Sequence, residues 1–427
     1  MSTNTNNGVW RQATTLGSFL FFSLMLSVPS GYSYGSAFLL LTSMAYLACV
    51  AMRNGHADRT FAPLTREDRA IMLALLGVFV VAVATTVIHE NDASTLDVDS
   101  RCLLAVPILV LAVKAPPRLE AICAGMVVGC IGAAGIAAWQ VYGQGIPRAT
   151  GFVTSAVPFG NLGLTMAIFC FAGMFWAGTQ PAYVRQWQVA LLLGCGAGVY
   201  VSVASGSRGG WLALAPVFVL FCIAFLNRQN WRQATIATAL VAAVLGGVFV
   251  APEDSYVRAR YDEAVQETGN YLTEQNIETS IGGRLEAWRG AAIAIPQKPL
   301  LGWSHSDYAA ELRYMVQTKQ LRPYVLELVN THNNYLQVWL FQGAVGLGAL
   351  LALYIAPFWF FCRRLRTPDT TVRVLAVCGA SLLAAFFTYG LTHVILGRNN
   401  GMIFFVVTLV VLWGCLRQAE RRSPAEL

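Results

Sequence analysis

The sequence predicts an all-α polytopic membrane protein with about twelve transmembrane helices and a helical loop outside the bilayer. Three observations predict it. Of 427 residues, 56% are hydrophobic and 12% are charged, against about 25% charged in a soluble domain. The apolar residues fall in blocks of roughly 20, the length of helix that crosses a bilayer. Basic residues collect in alternate connections between those blocks, as the positive-inside rule requires of a multi-pass chain. Backbone groups inside a bilayer find no water, so each block must close its own hydrogen bonds as a helix. The period-two alternation of an outer-membrane barrel is not evident.

The apolar blocks cover 12–29, 34–52, 69–88, 101–114, 119–142, 159–178, 186–205, 209–226, 233–251, 333–361, 372–396 and 402–417. The fourth is short and contains Pro107, so its place depends on charge parity. With twelve spans and a cytoplasmic N-terminus, one set of loops holds 17 basic residues: Arg11, Arg53, Arg59, Arg66, Arg69, Lys114, Arg118, Arg185, Arg228, Arg232, Arg363, Arg364, Arg366, Arg373, Arg417, Arg421 and Arg422. The short loops of the other set hold 4: Arg101, Arg148, Arg208 and Arg398. Removing the fourth span inverts everything after it and places the basic loops outside. The span is therefore retained, and both termini are expected in the cytoplasm.

This parity divides the chain into transmembrane helices 1–9 (residues 1–251), an outward-facing loop (252–331), and helices 10–12 with a cytoplasmic tail (332–427). Within the loop, 255–268 and 283–295 read as short amphipathic helices. Pro296 and Pro299 end the second, and 270–283 reads as a connecting loop. About 80 residues suffice for a lid of a few helices but are few for an independent domain. No cleavable leader is expected, because no small-residue cleavage site follows the first apolar block. The ten cysteines lie in or beside apolar blocks and none lies in the loop. Neither a disulfide framework nor a zinc site is expected. The net charge of +7 is placed as membrane topology dictates, and no nucleic-acid partner is expected.

Ionisable residues gather at the ends of the spans rather than near the bilayer midplane, where an ion-coupled transporter would carry them. That points to chemistry at the outer surface, on something charged. Three places stand out. The first is the turn Gly206-Ser207-Arg208-Gly209-Gly210 between the seventh and eighth spans. Glycines leave backbone N–H groups accessible, a helix N-terminus adds positive potential, and Arg208 adds a fork suited to phosphate. The competing reading is a snorkelling arginine on a tight turn. The second is the segment 280–289, in which Arg284 and Trp288 share a helix face and Arg289 lies on a neighbouring one. The competing reading is an ordinary solvated helix face.

The third is Thr331-His332-Asn333-Asn334-Tyr335 at the outer mouth of the tenth span. His332 is placed in the first helical turn, where the helix dipole disfavours imidazolium and leaves a neutral ring able to accept a proton. The competing reading is a capping histidine. His393, in the last turn of a span, precedes Arg398-Asn399-Asn400, which could line the same cavity. His305 has no partner motif. No HExxH is present. Asp97 and Asp99 spell a short DxD on the outside, read as a solvated loop in preference to a metal site. Glu253, Asp254, Asp262 and Glu263 alternate with Arg258 and Arg260 as a solvated face would.

At these residues the chain resembles the O-antigen ligase and polymerase superfamily of bacterial inner membranes. The resemblance rests on the Ser207-Arg208-Gly209 turn, the Arg284…Trp288 helix followed by Pro299-Leu300-Leu301-Gly302-Trp303, and His332-Asn333-Asn334-Tyr335-Leu336, in that order. It implies a fold similar to GT-C membrane glycosyltransferases. It implies metal-independent, inverting transfer of a glycan from undecaprenyl diphosphate to a sugar hydroxyl of lipid A–core on the periplasmic face, with no cofactor. Donor glycan, acceptor lipid and membrane lipids are the implied partners. Arg208 and Arg284 match the family's diphosphate binders and His332 its base. Arg289 is a further donor-side candidate, and Ser207, Trp288, Asn333, Asn334, His393 and Arg398 are candidates to line the cavity. One departure is Ser304, where the family pattern often has a second glycine. The rivals are an O-antigen polymerase using the same donor and a non-enzymatic flippase of lipid-linked oligosaccharide.

Overall fold

The structure is a computed structural model that describes residues 2–52, 64–152, 155–226 and 280–422. The ninth expected span (233–251), the expected helix at 255–268 and residues 270–279 of the expected loop lie outside the described residues, while 280–283 are helical. The described residues form helices α1 (Ser2–Leu24), α2 (Gly31–Met52), α3 (Arg66–Ile88), α4 (Ser100–Lys114), α5 (Leu119–Ala138), α6 (Ala156–Ala177) and α7 (Val184–Ala204). After them come α8 (Arg208–Trp211), α9 (Leu214–Phe225), α10 (Ser280–Ala294), α11 (His305–Gln317), α12 (Asn334–Cys362), α13 (Thr370–Gly390) and α14 (Asn399–Arg422). Among the described residues no strand occurs.

Nine helical stretches among the described residues are long and apolar enough to cross a membrane, with α8 and α9 counting as one. Two further expected spans, α1 and α4, are helical without meeting that measure. At 15 residues, α4 rises only about 22 Å, short of the roughly 30 Å hydrocarbon core. It survives because most of its surface is covered by protein, with Leu103 its exposed apolar residue. Cys102, Ala105, Ile108, Leu109, Leu111, Ala112 and Val113 are buried, and α4 packs on α14, α3 and α2. Non-ideal length and an internal Pro107 are tolerated where protein surrounds the backbone.

The centre of the bundle is α14, α6 and α13, whose side chains are mostly buried. Around them α2, α3, α7 and α9 turn apolar residues outward, such as Leu41, Leu73, Val87 and Leu193, the surface that hydrocarbon solvates. One end of the bundle is tied by charge. The Arg364 guanidinium bridges Glu67 at 2.6 Å and also binds Glu420. Arg417 lies 3.5 Å from Asp68, which also accepts the Trp413 indole N–H and the Thr65 backbone N–H, each at 2.7 Å. Arg364 and Arg417 belong to the basic set that charge parity assigns to one side, and Arg398 of the sparse set lies at the opposite end of α14.

The outer loop is docked on α12 by backbone. Gly343 interrupts α12 with φ +65°, and Gly302 has φ +77°. Into that break the 299–303 segment inserts. The Trp303 N–H donates to the Leu340 carbonyl at 2.8 Å, and the Ala344 N–H donates to the Pro299 carbonyl at 2.8 Å. A Cβ on Gly343 would stand 2.0 Å from the Leu300 carbonyl oxygen, so only glycine permits the approach. The Trp303 indole N–H donates to the Ala294 carbonyl at 2.9 Å. A small separate core of Ala291, Ala294, Ile295, Trp303, Met315, Leu321, Val325 and Leu340 closes beneath the loop.

Three expectations need adjustment. Helix α11 is additional to the helices expected in the loop. Ser304 caps it, its hydroxyl accepting the Asp307 N–H at 3.0 Å. Ser304 has an extended backbone, so that position needs no glycine, and the left-handed residue of this turn is Gly302. Helix α13 ends at Gly390 rather than near 396. Gly390 lies against the Tyr335 ring, and residues 391–398 turn away as a loop, so His393 is not on a helix. His332 precedes α12 instead of sitting in its first turn. The N-cap is Asn333, whose side-chain oxygen accepts the Tyr335 and Leu336 N–H groups at 2.9 and 3.1 Å.

Candidate functional site

Four pieces of chain distant in sequence meet at one end of the bundle, opposite the Arg364 cluster: the 205–210 turn, α10, the 330–334 turn and the 391–398 loop. Each junction is a specific contact. Gly209 comes so close to Thr392 that a Cβ there would lie 2.7 Å from its hydroxyl. The Asn333 amide donates to the Leu391 carbonyl at 3.3 Å. The Trp288 indole N–H donates to the Thr331 carbonyl at 2.8 Å. Trp288 thereby pins α10, and with it Arg284, beside His332.

The expected helix at 283–295 forms but is already helical at Ser280, and its buried face consists of small residues and one carboxylate instead of an apolar stripe. Gly283, Glu286, Ala287, Gly290, Ala291 and Ala294 form its buried stripe, spaced three and four apart as one helix face requires. The buried Glu286 carboxylate accepts the Arg322 backbone N–H at 2.8 Å, which fixes the following segment against the helix. Arg284 lies at the edge of the stripe, half-buried, while Arg289 is exposed.

The 330–334 turn is held by its own polar side chains. The His332 N–H donates to Asn330 Oδ1 at 2.9 Å. The Thr331 hydroxyl donates to the Asn333 carbonyl at 2.8 Å, and the Thr331 N–H donates to Gln337 Oε1 at 3.0 Å. His332 has φ +52°, a left-handed conformation uncommon outside glycine and costing of order 1–3 kcal/mol. The surrounding bonds impose it, and they set the direction of the ring.

The His332 and His393 rings lie 6.4 Å apart, centroid to centroid, at 73°. Burial lowers the His332 imidazole below its usual range, and the charges of Arg284 and Arg398 lower it further. His393, which is buried, is depressed to about 3 by burial, then by Arg398, His332 and Arg284. Both rings are therefore neutral near pH 7. The cations acting on the pair are Arg284 and Arg398. The His393 Nδ1 atom is buried without a hydrogen-bond partner.

The 205–210 turn is built for exposure of its arginine. The Ser207 hydroxyl is buried and donates to Asn161 Oδ1 at 2.8 Å, so Ser207 anchors the turn to α6. A Cβ on Gly210 would collide with the same Asn161 oxygen at 2.2 Å. Arg148 Nε donates to the Ser205 carbonyl at 2.9 Å, neutralising the carboxyl end of α7. Arg208 follows, exposed, at the start of α8.

The DxD pair does not act as one unit. Asp97 binds Arg101 at 2.7 Å and the Asn399 amide at 2.7 Å. Asp99 accepts from Gln342 Nε2 at 3.2 Å. Sequence reasoning makes Asp99 a solvated loop residue and gives His305 no partner. The structure places both on one cavity with Asn334 and Gln337. No spacing in the sequence could reveal this, since α3, the α3–α4 connection, α12, the 394–397 segment and His305 all contribute.

The resemblance read from the three motifs holds in comparison with known proteins. Residues 189–351 match the family model described as O-antigen ligase. That stretch opens within α7 and closes within α12, so it includes the 205–210 turn, α10 and His332. It excludes the 391–398 loop. A Haemophilus influenzae protein described as uncharacterized is 25% identical over 395 residues, covering 90% of this chain and 94% of its own length. An O-antigen ligase of Salmonella typhimurium is 25% identical over 154 residues, 35% of this chain and 34% of that protein.

Proposed function

We propose that this chain is an O-antigen ligase of the bacterial inner membrane, with its site on the periplasmic face and both termini in the cytoplasm. It transfers a glycan from undecaprenyl diphosphate to a sugar hydroxyl of lipid A–core. The observation that carries the reading is the arrangement at the outer end of the bundle: a neutral, oriented His332 under the field of Arg284 and Arg398, with the Arg208 turn packed against the loop that bears His393.

In this reading Arg208 and Arg284 hold the donor diphosphate at the outer leaflet. The acceptor hydroxyl gives its proton to the His332 imidazole as its oxygen attacks the anomeric carbon. The bond from that carbon to the diphosphate oxygen breaks, and the diphosphate departs with the electron pair. The two guanidinium groups stabilise the negative charge that grows on it. One displacement on one face inverts the anomeric configuration. His393, neutral and buried, does not compete for the anion and adds no charge beside the base. A GT-C-like arrangement of the helices fits this chemistry, in which positioned side chains do the work.

The test is transfer by the purified protein in lipid bilayers, given lipid-linked O-glycan and lipid A–core. A ligase yields glycan on lipid A–core. Joining of two lipid-linked glycans identifies a polymerase instead, and the absence of any covalent product while lipid-linked glycan crosses the bilayer identifies a flippase.

A further inference from the structure

Beside the His332 turn lies a chamber of about 220 Å³ with polar groups on an otherwise apolar lining, between α3, the α3–α4 connection, α12, Met402 of α14 and the start of α11. At about 30 Å³ per water, it has room for roughly seven waters or for a single sugar ring. It shares a wall with the site above. Val394, Leu396 and Gly397 of the 391–398 loop line it, and the same loop carries His393 and Arg398. Asn334, two residues after His332, also lines it.

The hydrogen-bonding groups in the chamber are mixed in a particular way. Asn334 is 1% exposed, its Oδ1 accepts the Leu396 N–H at 3.3 Å, and its amide nitrogen has no partner. Gln337 uses its Oε1 on the Thr331 N–H, which leaves its amide N–H groups to donate. Gln342 donates to Asp99, which leaves its own oxygen and the remaining lone pairs of the carboxylate to accept. A metal cation would want acceptors only and an anion donors only. A sugar hydroxyl both donates and accepts. The His305 ring stacks on Phe341, with centroids 4.3 Å apart and planes 8° apart, and both line the chamber. Flat apolar faces beside polar groups suit the two-sided character of a sugar ring. Burial pushes the Asp99 carboxyl up to about 6 against the bond from Gln342, as a pocket that excludes water would do.

We propose that this chamber is a carbohydrate subsite in which Asp99, Asn334, Gln337 and Gln342 hold the hydroxyls of one sugar residue next to the reacting centre. This rests on the transferase reading above for its purpose, not for its geometry. The sugar belongs either to the acceptor core or to the glycan of the donor, and the experiment separates the two.

Full-length protein in nanodiscs is titrated with deacylated core oligosaccharide in one arm and with O-glycan released from its carrier in the other. Contact is read by saturation-transfer NMR. One of the two gives a signal, and Asp99→Asn and Gln342→Leu each weaken that binding about tenfold or more, as loss of a hydrogen bond involving a charged group does. Thermal melting of both variants checks that they are folded. In the transfer assay the KM of the same substrate rises about tenfold, with the pH profile set by His332 unmoved. Binding of neither oligosaccharide, or wild-type affinity in both folded variants, overturns the subsite. So does a fall in kcat with KM unchanged, which places Asp99 in the chemistry. Sugar binding that the variants lose, in a wild-type protein that transfers nothing, leaves the subsite standing and removes the transferase reading.

Discussion

His332 and His393 lie 6.4 Å apart under the charge of the same two arginines, Arg284 and Arg398. Yet His332 is partly exposed on a strained turn and His393 is buried in a loop. In the proposed mechanism the more accessible imidazole is the base and the buried one packs beside it.

His332→Ala lowers kcat by about 10²–10⁴-fold, the usual worth of a positioned general base. The protein remains membrane-inserted, because the cap of α12 is Asn333 and not His332. Attachment of O-glycan to lipid A–core at wild-type rates by the alanine variant removes His332 from the mechanism.

Arg284→Lys loses at least about tenfold in activity, since a point charge does not reproduce a bidentate fork on a diphosphate. Binding of the lipid-linked donor is measured alongside, and it falls with activity. Full activity in the Arg284→Lys variant shows instead that the site needs only positive charge there. In the proposed mechanism the two guanidinium groups neutralise the diphosphate without a divalent cation, so full activity is expected after exhaustive EDTA treatment. Strict dependence on a divalent cation would bring Asp97 and Asp99 back as metal ligands.

The acid limb of the rate profile follows His332. Its imidazole is held below the ordinary value of about 6.5, so kcat/KM holds as pH falls through 6.5 and declines only lower. Arg398→Gln removes one of the causes of that depression. The imidazole then takes up its proton at higher pH, and the acid limb moves upward. A limb that stays in place, or moves down, contradicts the assignment of Arg398 to this ring.

Stability has its own pH signature through His393. Its value is about 3 in the folded chain against 6.5 in the unfolded one. Between those values the unfolded chain binds more protons, so stability rises with pH across the window. His393 therefore leaves the fold undisturbed above pH 6.5 and costs increasing stability as pH falls toward 3. Melting of His393→Leu in detergent loses part of that acid sensitivity. Asp99 works the opposite way between 3.8 and about 6, so the comparison is made variant against wild type at each pH.

Two glycines of α12 provide a matched pair. Gly343→Ala places a Cβ 2.0 Å from the Leu300 carbonyl at a backbone φ of +65°, and the outer loop undocks. A lower melting temperature and loss of transfer follow. Gly348→Ala meets nothing within 4 Å, and it stabilises the helix by roughly 0.5–1 kcal/mol. Equal behaviour of the two substitutions would mean that the loop is not seated in the break.

Much of this is legible in sequence because the bilayer imposes a strict local rule. A backbone that cannot reach water must be helical, so blocks of about 20 apolar residues translate directly into helices. The arginine-rich connections at 363–373 and 417–422 indicate the sidedness for a similarly local reason. Charge parity retains the short 101–114 segment, although its stability comes from burial against α14. The glycine-flanked arginines and the histidine at a helix mouth stand out in the sequence by their order and spacing, although each has a purely structural reading as well.

Other features depend on contacts between distant parts of the chain. The 391–398 loop reads as the end of an apolar span, and only the packing of Gly390 on Tyr335 turns it aside. Helix α11 is hidden because its burial is against the loop core and not in lipid. Trp288 gains its meaning from the carbonyl of Thr331, 43 residues away. Asp99 and His305 look like two unrelated surface residues until the cavity joins them. The sequence by itself determined that helices cross a membrane, that basic residues favour one set of connections, and that arginines and a histidine lie near the ends of those helices. The tertiary structure decided which of those side chains share a field and a cavity. Helix formation answers to nearest neighbours and solvent, whereas a site is assembled from side chains that only packing brings together.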